Sequence, residues 1–302
     1  MSITIDKSII EHKDVLKNKA LMVRLTRKKL NRNKTDKALS EELTKLKRVN
    51  EAGAVRVNKS LFTKESTDAY MKIYSEASKY FYRVTLPWDD KGYRLLSIDI
   101  FDEFSKKFKS FSNQYRKHVV EFIDKVAEHI ESAKGVLGEA FDASDYTFLS
   151  ANGGVDTDHL MAQFALDIEY DVVTSGDDLR AVLTEADREA VAAQIDEQAL
   201  LKFGKAQAHI IQTLHDHVFA IHSRLCESEN IFRDTLVTNL EDLVDLIPKM
   251  NIAGDPAIDA LAAEAKARLC GWDPQELREN PVARKEVADE AKKILGNMEG
   301  MI

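Results

Sequence analysis

A chain of 302 residues, 44% hydrophobic and 31% charged, has the composition of a globular protein with ample material for a core. No run approaches ~18 consecutive apolar residues, and the opening MSITIDKSIIEHKD lacks an apolar leader, so neither a membrane span nor a secretion signal is expected. The net charge of −8 conceals an asymmetry: residues 1–120 hold 27 Lys/Arg against 15 Asp/Glu, and 121–302 hold the remaining 16 against 36. Parts of such opposite sign attract different partners, or each other. Two cysteines, Cys226 and Cys270, are too few for a disulfide framework and read as buried thiols in a reducing compartment.

The N-terminal region is basic. A short apolar piece, ALMVRL (20–25), runs into TRKKLNRNKTDK, which contains the densest basic run of the chain. SEELTKLKRVN (40–50) then reads as a helix opening at Ser40, with an imperfect capping box because position 43 is Leu. Further on, Tyr70, Ile73, Tyr74, Ala77, Phe81 and Val84 recur at helical spacing. After a break at LPWDDKGY (86–93), a second stripe follows: Phe101, Phe104, Phe108, Phe111, Tyr115, Val119, Phe122, Val126 and Ile130. Its steps are all of three or four residues, averaging about the 3.6 residues of an α-helix. Two long antiparallel amphipathic helices are expected here.

Many of the aromatic residues fall in this stretch, interleaved with Lys106, Lys107, Lys109, Arg116 and Lys117. Aromatics among cations can form a base-stacking platform. Here the rings share one helical face and the lysines lie off it, which points to core packing.

Residues 135–159 are irregular and rich in glycine. QFALDIEYDVV (163–173) then alternates with period two, the mark of a half-buried strand. A turn at Gly176 leads back into helix, with further helices over 205–226 and 231–247. The C-terminal part carries three helix starts, each an Asp or Asn followed by Pro: Asp255–Pro256, Asp273–Pro274 and Asn280–Pro281. The fold expected is mainly α, with long antiparallel amphipathic helices and a small β element near 164–173. Three consecutive regions are expected: a basic N-terminal region with the helical hairpin (1–140), an irregular or β connector (141–180) and an acidic helical C-terminal region (181–302).

Candidate chemistry is sparse. Asp167, Glu169 and Asp171 project to one side of the strand, with Asp156, Asp158 and His159 upstream, and a divalent ion could bridge such a row. The apolar side of the same strand explains the alternation without a metal. Four histidines, His209, His215, His217 and His222, lie in one helix, but no pair has the spacing of a helical zinc clamp. There is no P-loop, dinucleotide fingerprint or nucleophile elbow. No catalytic residue, cofactor or metal ligand is therefore assigned. The candidate nucleic-acid contacts are Arg27, Lys28, Lys29, Arg32 and Lys34.

The segments RLTRKKL, RVTLPWDDKGYRLL and FRDTLVTNLEDLVDLIPKMNIAGDPAIDALAAEAKARL, with DPQELRENPVARKEVADEAKKIL, together resemble an uncharacterised family of bacteriophage and mobile-element proteins. The resemblance spans nearly the whole chain, and it departs where members carry an aromatic near Thr26. In that family the gene often lies near those of a MoxR-type AAA+ ATPase and a von Willebrand factor A-type protein. The resemblance implies a cytoplasmic protein of a bacterial host cell that works with partners. The leading functional expectation is a non-enzymatic interaction protein that self-associates into a homo-oligomer or serves as an adaptor to the ATPase. The alternatives are nucleic-acid binding through the basic N-terminal region and a carboxylate-dependent metal enzyme.

Overall fold

The computed structural model describes residues 15–51, 53–150, 152–179, 184–226, 232–299 and 301. The expectation of no leader at MSITIDKSIIEHKD and the start of helical structure at 180–183 lie outside these residues, as does position 231. The fold is mainly α with a small antiparallel β component, as expected. In chain order, strand β1 (Ala20–Lys28) precedes β2 (Asn33–Asp36), helix α1 (Lys37–Leu46) and β3 (Val57–Ser60). Then follow α2 (Lys64–Val84), β4 (Leu86–Pro87), β5 (Arg94–Ser97), α3 (Ile98–Asp124) and α4 (Val126–Leu137). After a short helix α5 (Thr157–Met161) comes β6 (Ala165–Asp171), then α6 (Glu185–Cys226), α7 (Thr235–Met250) and α8 (Pro256–Leu269). The chain closes with α9 (Pro274–Glu279) and α10 (Pro281–Met298). One sheet has the order β4–β5–β1–β6, and β2 pairs with β3 in a second.

The chain forms two compact units, each assembled from separated segments. One comprises 1–24, 81–105 and 169–302, and the other comprises 25–80 and 106–168. The second holds 21 Lys/Arg against 17 Asp/Glu, a net of +4, which leaves 22 against 34 and a net of −12 in the first. We call them the basic and the acidic unit.

Within the basic unit, the aromatic stripes meet as their spacing demands. Tyr70 of α2 packs edge-on against Phe122 of α3 at 5.3 Å between ring centroids, and Tyr80 packs against Phe111 at 5.9 Å. Partners descend along α3 as they ascend along α2, so the two helices are antiparallel. Phe62, Tyr146 and Phe148 extend this cluster through edge-on and stacked contacts of 5.2–6.4 Å. Tyr70, Phe108, Tyr115 and Phe122 are all buried, so the stripe is core and offers no stacking platform. The helical stripe is interrupted once, at Lys125, where α3 gives way to α4 while Val126 and Ile130 remain buried.

The helix expected from Ser40 begins three residues earlier. Asp36 is its cap, its carboxylate accepting the Leu39 N–H at 3.0 Å. Ser40 is instead buried within α1, where its hydroxyl accepts the Val57 N–H at 2.9 Å and ties the helix to β3. A polar side chain with that distant partner could not be told from a cap by local pattern.

In the acidic unit, the loop between β4 and β5 is closed by Asp89, whose carboxylate accepts the N–H groups of Lys91 and Tyr93. Helix α6 is continuous from Glu185 to Cys226, so the piece expected at 205–226 is its second half. It carries a buried row of Phe203, Ala206, Ile210, Leu214, Val218, Ile221 and Leu225, against which α10 packs lengthwise. Gly176 approaches it so closely that a Cβ there would lie 2.6 Å from the Ala192 carbonyl oxygen. Arg284 of α10, itself buried, donates to the Leu225 carbonyl at 3.1 Å and the Arg224 carbonyl at 2.9 Å, satisfying the C-terminal end of α6. The three Pro-initiated helices start as expected, capped by Asp255, Asp273 and Asn280. No described helix is long and apolar enough to cross a membrane.

The cysteines differ from the expectation of two buried thiols. Cys226 is exposed and Cys270 half-buried, because α6 ends at Cys226 with that side chain turned away from the buried row.

Candidate nucleic-acid interface

The basic run sits where β1 ends and turns into β2. Two backbone anchors hold this turn: the Tyr115 hydroxyl donates to the Lys28 carbonyl at 2.8 Å, and the Leu61 N–H donates to the Arg32 carbonyl at 2.7 Å. Leu30 is buried between them. An apolar side chain pinned inward leaves its charged neighbours directed to solvent, and Arg27, Lys28 and Lys29 are exposed.

The partners of these cations separate them into two kinds. Arg27 donates to the Ser78 hydroxyl at 2.9 Å and lies 5.6 Å from the Tyr74 ring, while the Lys29 ammonium lies 5.2 Å from the same ring. These three contacts are to neutral groups and cancel no charge. Lys28 and Arg32 have no side-chain partner among the described residues. Lys34 is different: its ammonium lies 2.8 Å from the Asp145 carboxylate. Lys59 reaches the other oxygen of Asp145 at 2.6 Å and Asp36 at 3.3 Å, and donates to the Ala140 carbonyl at 3.2 Å. Burial alone would raise the Asp145 carboxyl, but Lys34 and Lys59 outweigh it and hold the group below its ordinary range. Lys34 therefore belongs to a structural ion cluster, whereas along the basic strip Lys28, Lys29 and Arg32 have no carboxylate partner among the described residues.

Sequence reading missed two neighbours of the strip. Lys64, at the start of α2, and Tyr70, two turns further on, line one cavity of about 340 Å³ together with Lys29 and Arg32. Nothing in the local pattern distinguishes Tyr70 from the other rings of its stripe.

The acidic row of β6 does not converge. Glu169 pairs with Arg24 of β1, and Asp171 accepts the adjacent Val172 N–H at 2.8 Å. Asp156 caps α5 through the His159 N–H. Among the described residues no group of three His, Cys, Asp or Glu side chains is placed to hold a metal ion. The histidines of α6 serve separate local contacts. The His215 ring stacks on Phe219, the His217 Nδ1 lies 2.9 Å from the Thr213 carbonyl, and the His222 Nδ1 lies 3.0 Å from the Ala288 carbonyl. Burial, aided by the nearby Arg94 charge, lowers the affinity of His209 for a proton.

No protein-family model, curated protein or solved structure matches this chain.

Proposed function

We propose that this protein binds nucleic acid through its basic unit, the strip Arg27–Lys28–Lys29–Arg32 contacting the phosphate backbone. The observation that carries the reading is that Lys28, Lys29 and Arg32 have no carboxylate partner among the described residues, on a backbone pinned by Tyr115 and Leu61. Uncompensated cations on a fixed turn release condensed counterions when they meet phosphates, which supplies sequence-independent affinity. The net of +4 on this unit, against −12 on the other, favours contact on the basic side. The buried rings leave base stacking a small part, with the half-exposed Tyr74 beside Arg27 and Lys29.

The test is fluorescence anisotropy with single- and double-stranded oligonucleotides across a salt series. Three to four phosphate contacts give a slope of log affinity against log salt of roughly −2 to −3 for single strands. Joint reversal of Arg27, Lys28, Lys29 and Arg32 to Glu abolishes the binding and the slope. Lys34→Ala, whose ammonium is already paired, changes affinity by less than about twofold, since a neutralised cation has few counterions to release. Binding that survives the fourfold reversal unaltered overturns the reading.

A further inference from the structure

The cavity between the β1–β2 turn and the first turns of α2 is lined by a residue with an uncommitted hydrogen-bond donor. Tyr70 is only 1% exposed, yet its hydroxyl has no hydrogen-bond partner among the described residues. Its ring is clamped edge-on by Tyr115, Phe122 and Phe164 at 5.3–6.2 Å, so the phenol cannot swing away to find one. Tyr70 and Arg32 both line the cavity. Burial raises the phenol above its ordinary pKa, so at neutral pH it is a donor. A buried donor in this condition calls for an acceptor.

The other walls present donors too. Lys29, Arg32 and Lys64 bring three positive charges, against one carboxylate, Asp68. Lys64 stands in the first turn of α2, a helix of 21 residues whose first N–H groups have no intrahelical acceptors. The Thr67 hydroxyl is already spent on the carbonyls of Thr63 and Lys64. A volume of about 340 Å³ suits a group of nucleotide size, at the small end of ligand sites.

This donor set exceeds what an internal phosphodiester can use, with two free oxygens and one charge. A terminal phosphate monoester has three free oxygens and a charge of about −1.5 to −2 at neutral pH. We propose that the cavity formed by Lys29, Arg32, Lys64 and Tyr70 binds the terminal phosphate monoester of a nucleic-acid strand whose backbone follows the adjacent basic strip. The inference rests on the reading of that strip as a nucleic-acid contact.

The experiment compares one oligonucleotide, labelled internally, with a 5′-phosphate, a 3′-phosphate or hydroxyls at both ends, binding to the full chain. One phosphorylated form binds about tenfold more tightly than the hydroxyl form, as expected of charge-assisted bonds. Tyr70→Phe, which keeps the packed ring, brings that ratio to within about twofold of one. Lys64→Ser, at an exposed position, does the same and decides the matter if Tyr70→Phe does not fold. Equal affinity for all three forms overturns the terminal-phosphate site while leaving backbone binding intact. Binding of none of them overturns both. Adenosine 5′-monophosphate, titrated alone, separates the sources of the phosphate: if it binds in a Tyr70-dependent way while the oligonucleotides show no end preference, the strand-end proposal falls.

Discussion

Arg24 of β1 donates through Nε to the Glu169 carboxylate of β6 at 3.1 Å, joining neighbouring strands of one sheet across 145 residues of sequence. The middle member of the acidic row is thus an ion-pair partner within the acidic unit. The hydrogen bond to Glu169 raises the Arg24 guanidinium above its ordinary pKa. Both side chains are well exposed, so the pair is weak and open to screening. Glu169→Gln lowers the urea midpoint slightly at low ionic strength, and the difference vanishes near 1 M salt. Metal analysis of purified Glu169→Gln and wild-type protein gives the same content, since the row does not converge on an ion. A loss of bound metal with the substitution would revive the carboxylate site.

The Lys34–Asp145–Lys59 cluster makes the basic unit sensitive to acid. Asp145 is held below its unfolded pKa of about 3.9, so its contribution is present above that value and is lost as pH falls through the lower folded one. Lys59→Met leaves Asp145, with a side chain only 7% exposed, facing Lys34 alone. Stability at pH 7 falls by about 1–3 kcal/mol, the cost of a buried ion deprived of a partner. Its dependence on pH below about 4 also becomes shallower. Urea unfolding at pH 7, 5 and 3 measures both effects.

Asn280 accepts the N–H groups of Val282 and Ala283 at 3.0 and 3.2 Å, and it both ends α9 and begins α10. Asn280→Ala leaves those donors without the side-chain acceptor and costs about 1 kcal/mol. Asn280→Asp retains the acceptor and stays near wild type. Chemical denaturation of the three proteins tests the cap without touching the core.

The two thiols differ in reactivity. Cys226 is exposed, with its sulfur 3.4 Å from the His222 ring, whereas burial pushes the Cys270 thiol up to about 11. Because the thiolate is the nucleophile, a thiol-disulfide reagent at pH 8 modifies one cysteine rapidly and the other much more slowly. Cys226→Ser removes the fast phase. Two fast phases, or none, would contradict this placement.

The aromatic cluster supports the cavity above it. Phe122 meets Phe62, Tyr70 and Phe164 at 5.2–6.1 Å and stacks on His129 at 5.2 Å. Phe122→Ala costs about 3–5 kcal/mol by calorimetry. It also frees the Tyr70 ring, so any preference for phosphorylated ends weakens with it.

Local pattern determined the elements whose cause is local. The period of the two aromatic stripes, the alternation of β6 and the three Asp–Pro or Asn–Pro starts all arise from the geometry of a helix, a strand or a cap. They survive in the fold. The start of α1 slipped because Ser40 and Asp36 both have cap chemistry, and only the distant N–H of Val57 decided between them. The same holds for function. Arg27, Lys28, Lys29, Arg32 and Lys34 look alike along the chain, yet Asp145, 111 residues beyond Lys34, withdraws that one lysine from the strip. Tyr70 reads as one ring in a stripe until its neighbours leave its hydroxyl without an acceptor. Backbone periodicity is a property of consecutive residues, and sequence alone reveals it. Compensation of charge and hydrogen bonds depends on which distant residues meet, and only the tertiary structure decides that.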